Sequence, residues 1–232
     1  MKFKKPSFRK ILKLIRFAVF FFFISTISVT ILYRFIRPPV TPLQLIRVVE
    51  QIADGEKVKM SRDWVRLKNI SPAMVQAVVA SEDNNFLEHY GIDFEAVKKA
   101  RELNKKRKRL IGASTISQQT AKNVFLWPDR TWLRKGLEVY FTGLIEIFWG
   151  KRRIMEVYLN VIEMGDGIYG VEIASQRYFH KQASSLTRPE AALIAAVLPN
   201  PRRWSPAAPT AYIQRKQQRI LRVMNQIERV EF

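Results

Sequence analysis

Between Arg16 and Arg34 the chain carries no charged residue. Phe17 to Tyr33 is an uncharged run containing Phe20-Phe21-Phe22-Phe23 and many β-branched side chains. Such a run must be buried in a core or placed in a bilayer. A spanning helix needs roughly 20 apolar residues, and Lys13, Arg16 and Arg34 can lengthen this one by laying their stems along the apolar layer. Lys2, Lys4, Lys5, Arg9, Lys10, Lys13 and Arg16 precede the run, and Arg34 and Arg37 follow it. The strongly basic side is expected to stay in the cytoplasm. Residues 1–16 then form a basic cytoplasmic tail, 17–36 a transmembrane signal anchor, and the remainder lies outside. The rival is a cleaved signal peptide. No small-x-small site follows the run and Pro38-Pro39 comes soon after it, which favours an uncleaved anchor.

The anchor also explains much of the formal net charge of +20, because a basic juxtamembrane tail is attracted to anionic lipid. With the bulk of the chain outside, nucleic acid is not expected as a partner. The chain has no cysteine, which excludes disulfides, thiolate metal sites and thiol nucleophiles. Its only histidines are His89 and His180, too few for a histidine-rich metal centre.

Arg37 to Pro42 reads as a stiff linker, and residues 37–69 as a linker and membrane-proximal segment. Leu45, Ile46, Val48, Val49 and Ile52 suit a short helix ending at Asp54-Gly55. Val58, Met60 and Trp64 to Leu67 suggest a small hairpin. A single domain is expected over 70–232. Ser71-Pro72 is a helix start, with Met74, Val75, Val78 and Val79 as its buried face. Thr115, Gln119 and Lys122 share one face of another helix, opened by Ser114 or Thr115 as cap. From Trp132, the residues Leu133, Leu137, Phe141, Leu144, Ile145 and Phe148 mark a long helix, with Arg134, Lys135 and Glu138 spaced for a helix salt bridge. Gly150-Lys151 separates it from a further helix. Gly165, Gly167 and Gly170 make a flexible turn. Thr187 to Glu190 is a capping box. Tyr212 to Ile227 is amphipathic, with Ile213, Ile220, Met224 and Ile227 inward and Arg215, Lys216, Arg219 and Arg222 outward. Alternating strand patterns are scarce, so a mainly α fold is expected.

Ser81 to Gly91 concentrates Glu82, Asp83, Glu88, Phe86 and His89 at the end of the Ser71-Pro72 helix. Clustered carboxylates in a basic chain suit acid–base work at a sugar; a solvated turn is the bland alternative. Lys98, Lys99, Arg101 and Lys105 to Arg109 form a basic run, either a solvated helix face or a loop facing a membrane or a pyrophosphate.

Taken in order, these segments resemble the peptidoglycan glycosyltransferase family (glycosyltransferase family 51) over roughly Ile70 to Trp204. The carrying motifs are Glu82 to Gly91, Gly112 to Asn123, Arg134 to Glu138 and Lys151 to Asn160, extended by Tyr169 to Glu172 and Leu198 to Pro201. The chain is similar to the monofunctional form, since no transpeptidase follows; the Ser7 to Lys10 S-x-x-K pattern lies in the tail and is coincidental. The resemblance implies a lysozyme-like α-helical domain with a smaller membrane-facing lobe. It implies a growing glycan on a polyprenyl pyrophosphate as donor and lipid II as acceptor, joined with inversion. Glu82 matches the general base. Lys122, Arg134, Lys135 and Lys151 match phosphate-contacting positions. Thr115 and Gln119 fall at sugar- or phosphate-binding positions, with Ser114, Gln118 and Asn123 beside them. Asp83, Phe86 and His89 shape the cleft and hold Glu82. Glu138 matches a second acid whose role stays open: metal ligand, organiser of Arg134, or helper of leaving-group departure. A divalent cation, Mg2+ or Mn2+, suits a pyrophosphate, although no dedicated cage is visible and no organic cofactor is implied. Partners in cell-wall synthesis and division, and an inner-membrane location with a periplasmic catalytic domain, also follow. The rivals are a lytic transglycosylase or muramidase, which needs no cationic pyrophosphate site, and a non-catalytic membrane-anchored polyanion binder.

Overall fold

The structure is a computed structural model and describes residues 8–105 and 112–232. Lys106 to Arg109 of the basic run, and Lys2, Lys4 and Lys5 of the tail, lie outside the described residues. The chain divides into an N-terminal unit, Met1–Arg37, and a compact unit, Pro38–Phe232.

The N-terminal unit is one helix, α1, Phe8–Phe35. Its most apolar window has a mean hydropathy of 2.1. At 28 residues it is about 42 Å long, so the helix continues past the uncharged run into the basic residues on both sides. Its hydroxyls return their protons to the helix itself: Ser25 Oγ donates to Phe22 O (3.0 Å) and Thr30 Oγ1 to Thr26 O (2.8 Å). This satisfies polar groups that a bilayer cannot.

The compact unit is mainly α, as expected. Helix α2, Pro42–Ala53, starts with a capping box between Thr41 and Gln44. Strand β1, Ser61–Arg62, follows, and then a 3-10 turn, Leu67–Asn69. The expected hairpin over 58–67 does not form. Val65 N–H donates to Asn160 Oδ1, Asn160 Nδ2 donates to Val65 O, and Leu67 N–H donates to Glu156 Oε2, all at 2.9 Å. Side chains distant in sequence thus take the backbone groups that a hairpin partner would have taken.

Then come α3 (Pro72–Glu82), α4 (Phe94–Asn104), α5 (Ile116–Phe125), α6 (Trp132–Phe148) and α7 (Gly150–Val161). Gly150, at φ 71, sits in the left-handed region that favours glycine and separates α6 from α7. Strands β2 (Glu163–Gly165) and β3 (Ile168–Tyr169) form an antiparallel pair, so the expected flexible turn is a short hairpin. In the three-stranded sheet β3 is central and pairs in parallel with β1, Ser61 opposite Ile168. Helices α8 (Val171–Phe179), α9 (Arg188–Val197) and α10 (Ala211–Met224) complete the unit.

Two three-helix groups organise the core. In one, α3, α9 and α10 pack on one another; in the other, α5, α6 and α7 do. Helix α3 is buried on nearly every side, including Gln76, Ala77 and Ala80 as well as the expected apolar face. Helix α9 allows this because Ala191, Ala192, Ala195 and Ala196, all fully buried, present only methyl groups to their neighbours. One expectation for α6 is corrected. Leu133 is 70 % exposed, and the buried stripe runs through Arg134, Glu138, Phe141 and Ile145. The first turns of α6 therefore bury an ion pair where the sequence suggested leucine.

Candidate active site

Glu82 is the last residue of α3, and its carboxylate reaches across to α5. Oε1 accepts from Ser81 Oγ (3.0 Å) and Oε2 from Gln119 Nε2 (3.0 Å). Gln119 is itself oriented, because Tyr158 donates its hydroxyl to Gln119 Oε1 (3.2 Å). That bond fixes which end of the amide faces Glu82. Burial, together with Glu82 and Asp83, pushes the Tyr158 phenol well above its ordinary value, so it remains a neutral donor. Glu82 thus lies where the two helix groups meet.

One turn beyond Gln119 stands Lys122. Burial pushes its ammonium below the usual lysine value; Glu138 opposes this, Arg134 and Lys135 add to it, and Glu82 opposes it. No hydrogen bond or ion pair engages the Lys122 side chain among the described residues. Glu138, 4 % exposed at its side chain, accepts from Arg134 Nη1 (2.6 Å) and Lys135 Nζ (2.5 Å). Arg134 Nε is buried without a partner. Three cations face one carboxylate here, and the surplus positive charge with its spare N–H groups can stabilise an oxyanion. Glu138 is ion-paired with both Arg134 and Lys135. With both its oxygens engaged, and no group of three acidic or histidine side chains converging among the described residues, the chain's own donors do not fit a protein-held Mg2+ or Mn2+.

Asp83 and His89 hold the start of the loop after Glu82. Asp83 Oδ2 accepts the N–H of Ile116 at the start of α5 (2.9 Å), and His89 Nε2 lies 2.9 and 3.0 Å from the Asp83 oxygens. Phe86 is wholly buried. It is a core side chain and has no surface to offer a substrate.

Other expected binding residues are also taken up internally. Thr115 Oγ1 accepts from Gln118 N–H (3.1 Å) and donates to Gly91 O (2.6 Å), while Gln118 Oε1 accepts Thr115 N–H (3.1 Å). Both are buried and form the capping box of α5, so the hydroxyl in the proposed polar stripe is spent on the helix start. Asn123 Nδ2 donates to Gln119 O (2.9 Å). Lys151 is engaged elsewhere: its Nζ donates to Glu146 (2.7 Å) and lies 4.7 Å from the Phe86 ring centre. Ser114 is exposed and lines a cleft of about 960 Å³ together with Glu82.

That cleft also contains Lys98 and Lys99 of α4 and Lys216 and Arg219 of α10. Lys216, expected to point outward, is half-buried. It donates to Ala196 O (3.0 Å), and burial lowers its pKa against the pull of Glu82, with Arg219 adding to the lowering. The spacing carried the signal: Ile213, Lys216, Ile220 and Met224 are three, seven and eleven residues along one helical face. Tyr158 had a comparable signal, since a buried phenol must find a hydrogen-bond partner.

A family profile described as Transglycosylase matches residues 47–225. A biosynthetic peptidoglycan transglycosylase of Bacteroides thetaiotaomicron is 56% identical over 217 residues, covering 94% of this chain and 88% of that protein. One from Bdellovibrio bacteriovorus is 56% identical over 204 residues, covering 88% and 82%. One from Caulobacter vibrioides is 47% identical over 222 residues, covering 95% and 94%. On this similarity, the chain belongs to the transglycosylase family.

Proposed function

We propose that the chain polymerises peptidoglycan strands, transferring a growing glycan from polyprenyl pyrophosphate to the sugar 4-hydroxyl of lipid II. The observation that carries this reading is the Glu82 carboxylate, fixed by Ser81 and by Gln119, which stands one helical turn before a lysine whose ammonium joins a cationic cluster. A sugar hydroxyl is a weak nucleophile, so its proton must leave as the new bond forms. Glu82 takes that proton. The acceptor oxygen bonds to the donor's anomeric carbon from the side opposite the leaving group, and the bond from that carbon to the phosphate oxygen breaks. The electron pair departs on the pyrophosphate, and the linkage inverts. Lys122, Arg134 and Lys135 meet the departing charge as fixed cations. Glu138 holds Arg134 and Lys135 in place, and all these steps use side chains alone.

The α1 helix supports a single-pass anchor with the basic tail in the cytoplasm and the catalytic unit outside, beside its lipid-linked substrates. Residues 1–16, 17–36, 37–69 and 70–232 then serve as tail, anchor, connector and catalytic domain. The cationic cluster favours polymerisation over lytic cleavage, which releases no pyrophosphate.

The test incubates detergent-solubilised full-length protein with labelled lipid II and resolves the products on a gel. A lysozyme-sensitive ladder is expected from the wild type and none from Glu82→Gln. That variant keeps size and shape but has no carboxylate to take the proton. A ladder from Glu82→Gln at near-native rate would remove Glu82 from the role. Sugar fragments released from intact sacculi, with no ladder, would move the activity to cleavage.

A further inference from the structure

One ammonium outside the cationic cluster ties together four parts of the fold. Lys151, near the start of α7, is 18 % exposed at its side chain, and its partner Glu146 on α6 is 7 % exposed. Glu146 Oε1 accepts from Lys151 Nζ and also from the hydroxyl of Ser117, a fully buried residue on α5 two positions before Gln119. The same ammonium lies over the face of Phe86, 4.7 Å from the ring centre, a cation–π contact within a desolvated setting. Phe86 belongs to the loop that follows Glu82. Its ring meets His89 edge-on, and His89 holds Asp83, the residue next to Glu82. Farther along, the loop presses Gly91 against α6, where an added Cβ would lie 3.1 Å from Glu146 Cγ.

We propose that Lys151 is a positioning residue that acts on Glu82 through Phe86 and Glu146, and is not a phosphate ligand; this rests on Glu82 being the base. Lys151 Nζ is bonded to Glu146, whereas Arg134 and Lys135 are bonded to Glu138, so Lys151 has a carboxylate partner of its own. Its ammonium is already engaged by a carboxylate and a ring. On one side the brace sets the loop carrying Asp83; on the other it sets Ser117, hence the first turns of α5 and Gln119. Both ends of the Glu82 carboxylate's environment depend on it. A displaced base loses rate, because the reacting atoms must be held in near-attack geometry. Phosphate binding by Lys122, Arg134 and Lys135 is left intact.

The experiment compares Lys151→Met, Lys151→Arg, Glu146→Gln and the double variant Lys151→Met/Glu146→Gln in the detergent-solubilised full-length protein. Thermal unfolding is followed for each. The double variant leaves no unpaired buried charge, so it tests the idea if a single variant fails to fold. Initial rates with labelled lipid II separate kcat from KM. Binding of inorganic pyrophosphate, by calorimetry, reports on the cationic cluster without any need for turnover, with Lys122→Met as the reference for a lost phosphate contact. The folded charge-removing variants are expected to lose about 10- to 100-fold in kcat. Their KM and pyrophosphate affinity should stay within about twofold of wild type, and Lys151→Arg should recover most of the rate. The proposal is overturned if removing Lys151 weakens pyrophosphate as Lys122→Met does. It is also overturned if the folded double variant keeps the wild-type kcat. Glu82→Gln is run alongside: a ladder from that variant would defeat the base reading itself, while the pyrophosphate comparison would still decide whether Lys151 touches phosphate.

Discussion

Replacing Lys122 with methionine should make the protein more stable and nearly inactive. Lys122 holds an ammonium in a mostly buried site, beside Arg134 and Lys135, and no direct partner among the described residues repays its lost hydration. Glu138 is bonded to the other two cations. Methionine keeps the stem's volume and removes the charge. A gain of about 1 kcal/mol is in the usual range for relieving a strained functional group, and in a domain of this size it raises Tm by about 2–4 °C. Activity should fall by about 10²- to 10³-fold, the effect of removing one preorganised group facing developing negative charge. The sign can be checked with pH. Folding lowers the Lys122 pKa, so its charged form weakens the fold. That penalty is full below the folded value and gone above the unfolded value near 10.5. The Tm advantage of the variant should therefore shrink as pH rises through the alkaline range towards 10.5. Thermal unfolding from neutral to alkaline pH, with the lipid II assay, tests both parts. A lower Tm for Lys122→Met at neutral pH, or an advantage that does not change with pH, would refute the reasoning.

Three further substitutions probe the scaffold. Thr115→Ala removes the α5 cap and the bond to Gly91 O, and should cost about 1–2 kcal/mol; KM for lipid II stays unchanged if the hydroxyl is structural, whereas a sugar contact would raise it. Gly91→Ala places a Cβ 2.6 Å from Thr142 Cγ2 at φ +84 and should destabilise by about 1–3 kcal/mol, while Gly136→Ala, with nothing within 4 Å, should stabilise by about 1 kcal/mol; equal melting shifts in the two variants would contradict the packing described.

The parts of the fold readable in advance were those encoded by neighbours in the sequence. Ser71-Pro72 and the Thr187–Glu190 box start helices where expected, because caps act within three residues of themselves. Residues 58–67 were misread because their hydrogen-bond partners, Glu156 and Asn160, lie on α7 and leave no local trace. Leu133 was misread because periodicity favours an apolar residue, whereas the fold buries the Arg134–Glu138 pair on that turn. In the site, Glu82, Gln119, Lys122, Arg134, Lys135 and Glu138 are legible from the motifs and come together. Thr115, Gln118, Phe86 and Lys151 stand in the same motifs, but hydrogen bonds, burial and a ring contact occupy them. Motif position identifies which residues matter; it does not distinguish a side chain that faces a ligand from one that holds its neighbour. Lys216 was legible from its spacing and was obscured by the basic residues around it.

Glu82 sits at the end of α3, yet α3 is enclosed by α9 and α10, which come late in the chain, and its carboxylate is held by α5 from the other helix group. Ribosomal synthesis delivers these parts in sequence, so α3 and α5 are made before the wall around α3 exists. Without that wall, the helix that carries Glu82 lacks its main packing partners, α9 and α10. The segments made last are therefore the ones that enclose the helix bearing Glu82, so a chain shortened ahead of α9 would leave α3 without its main packing partners.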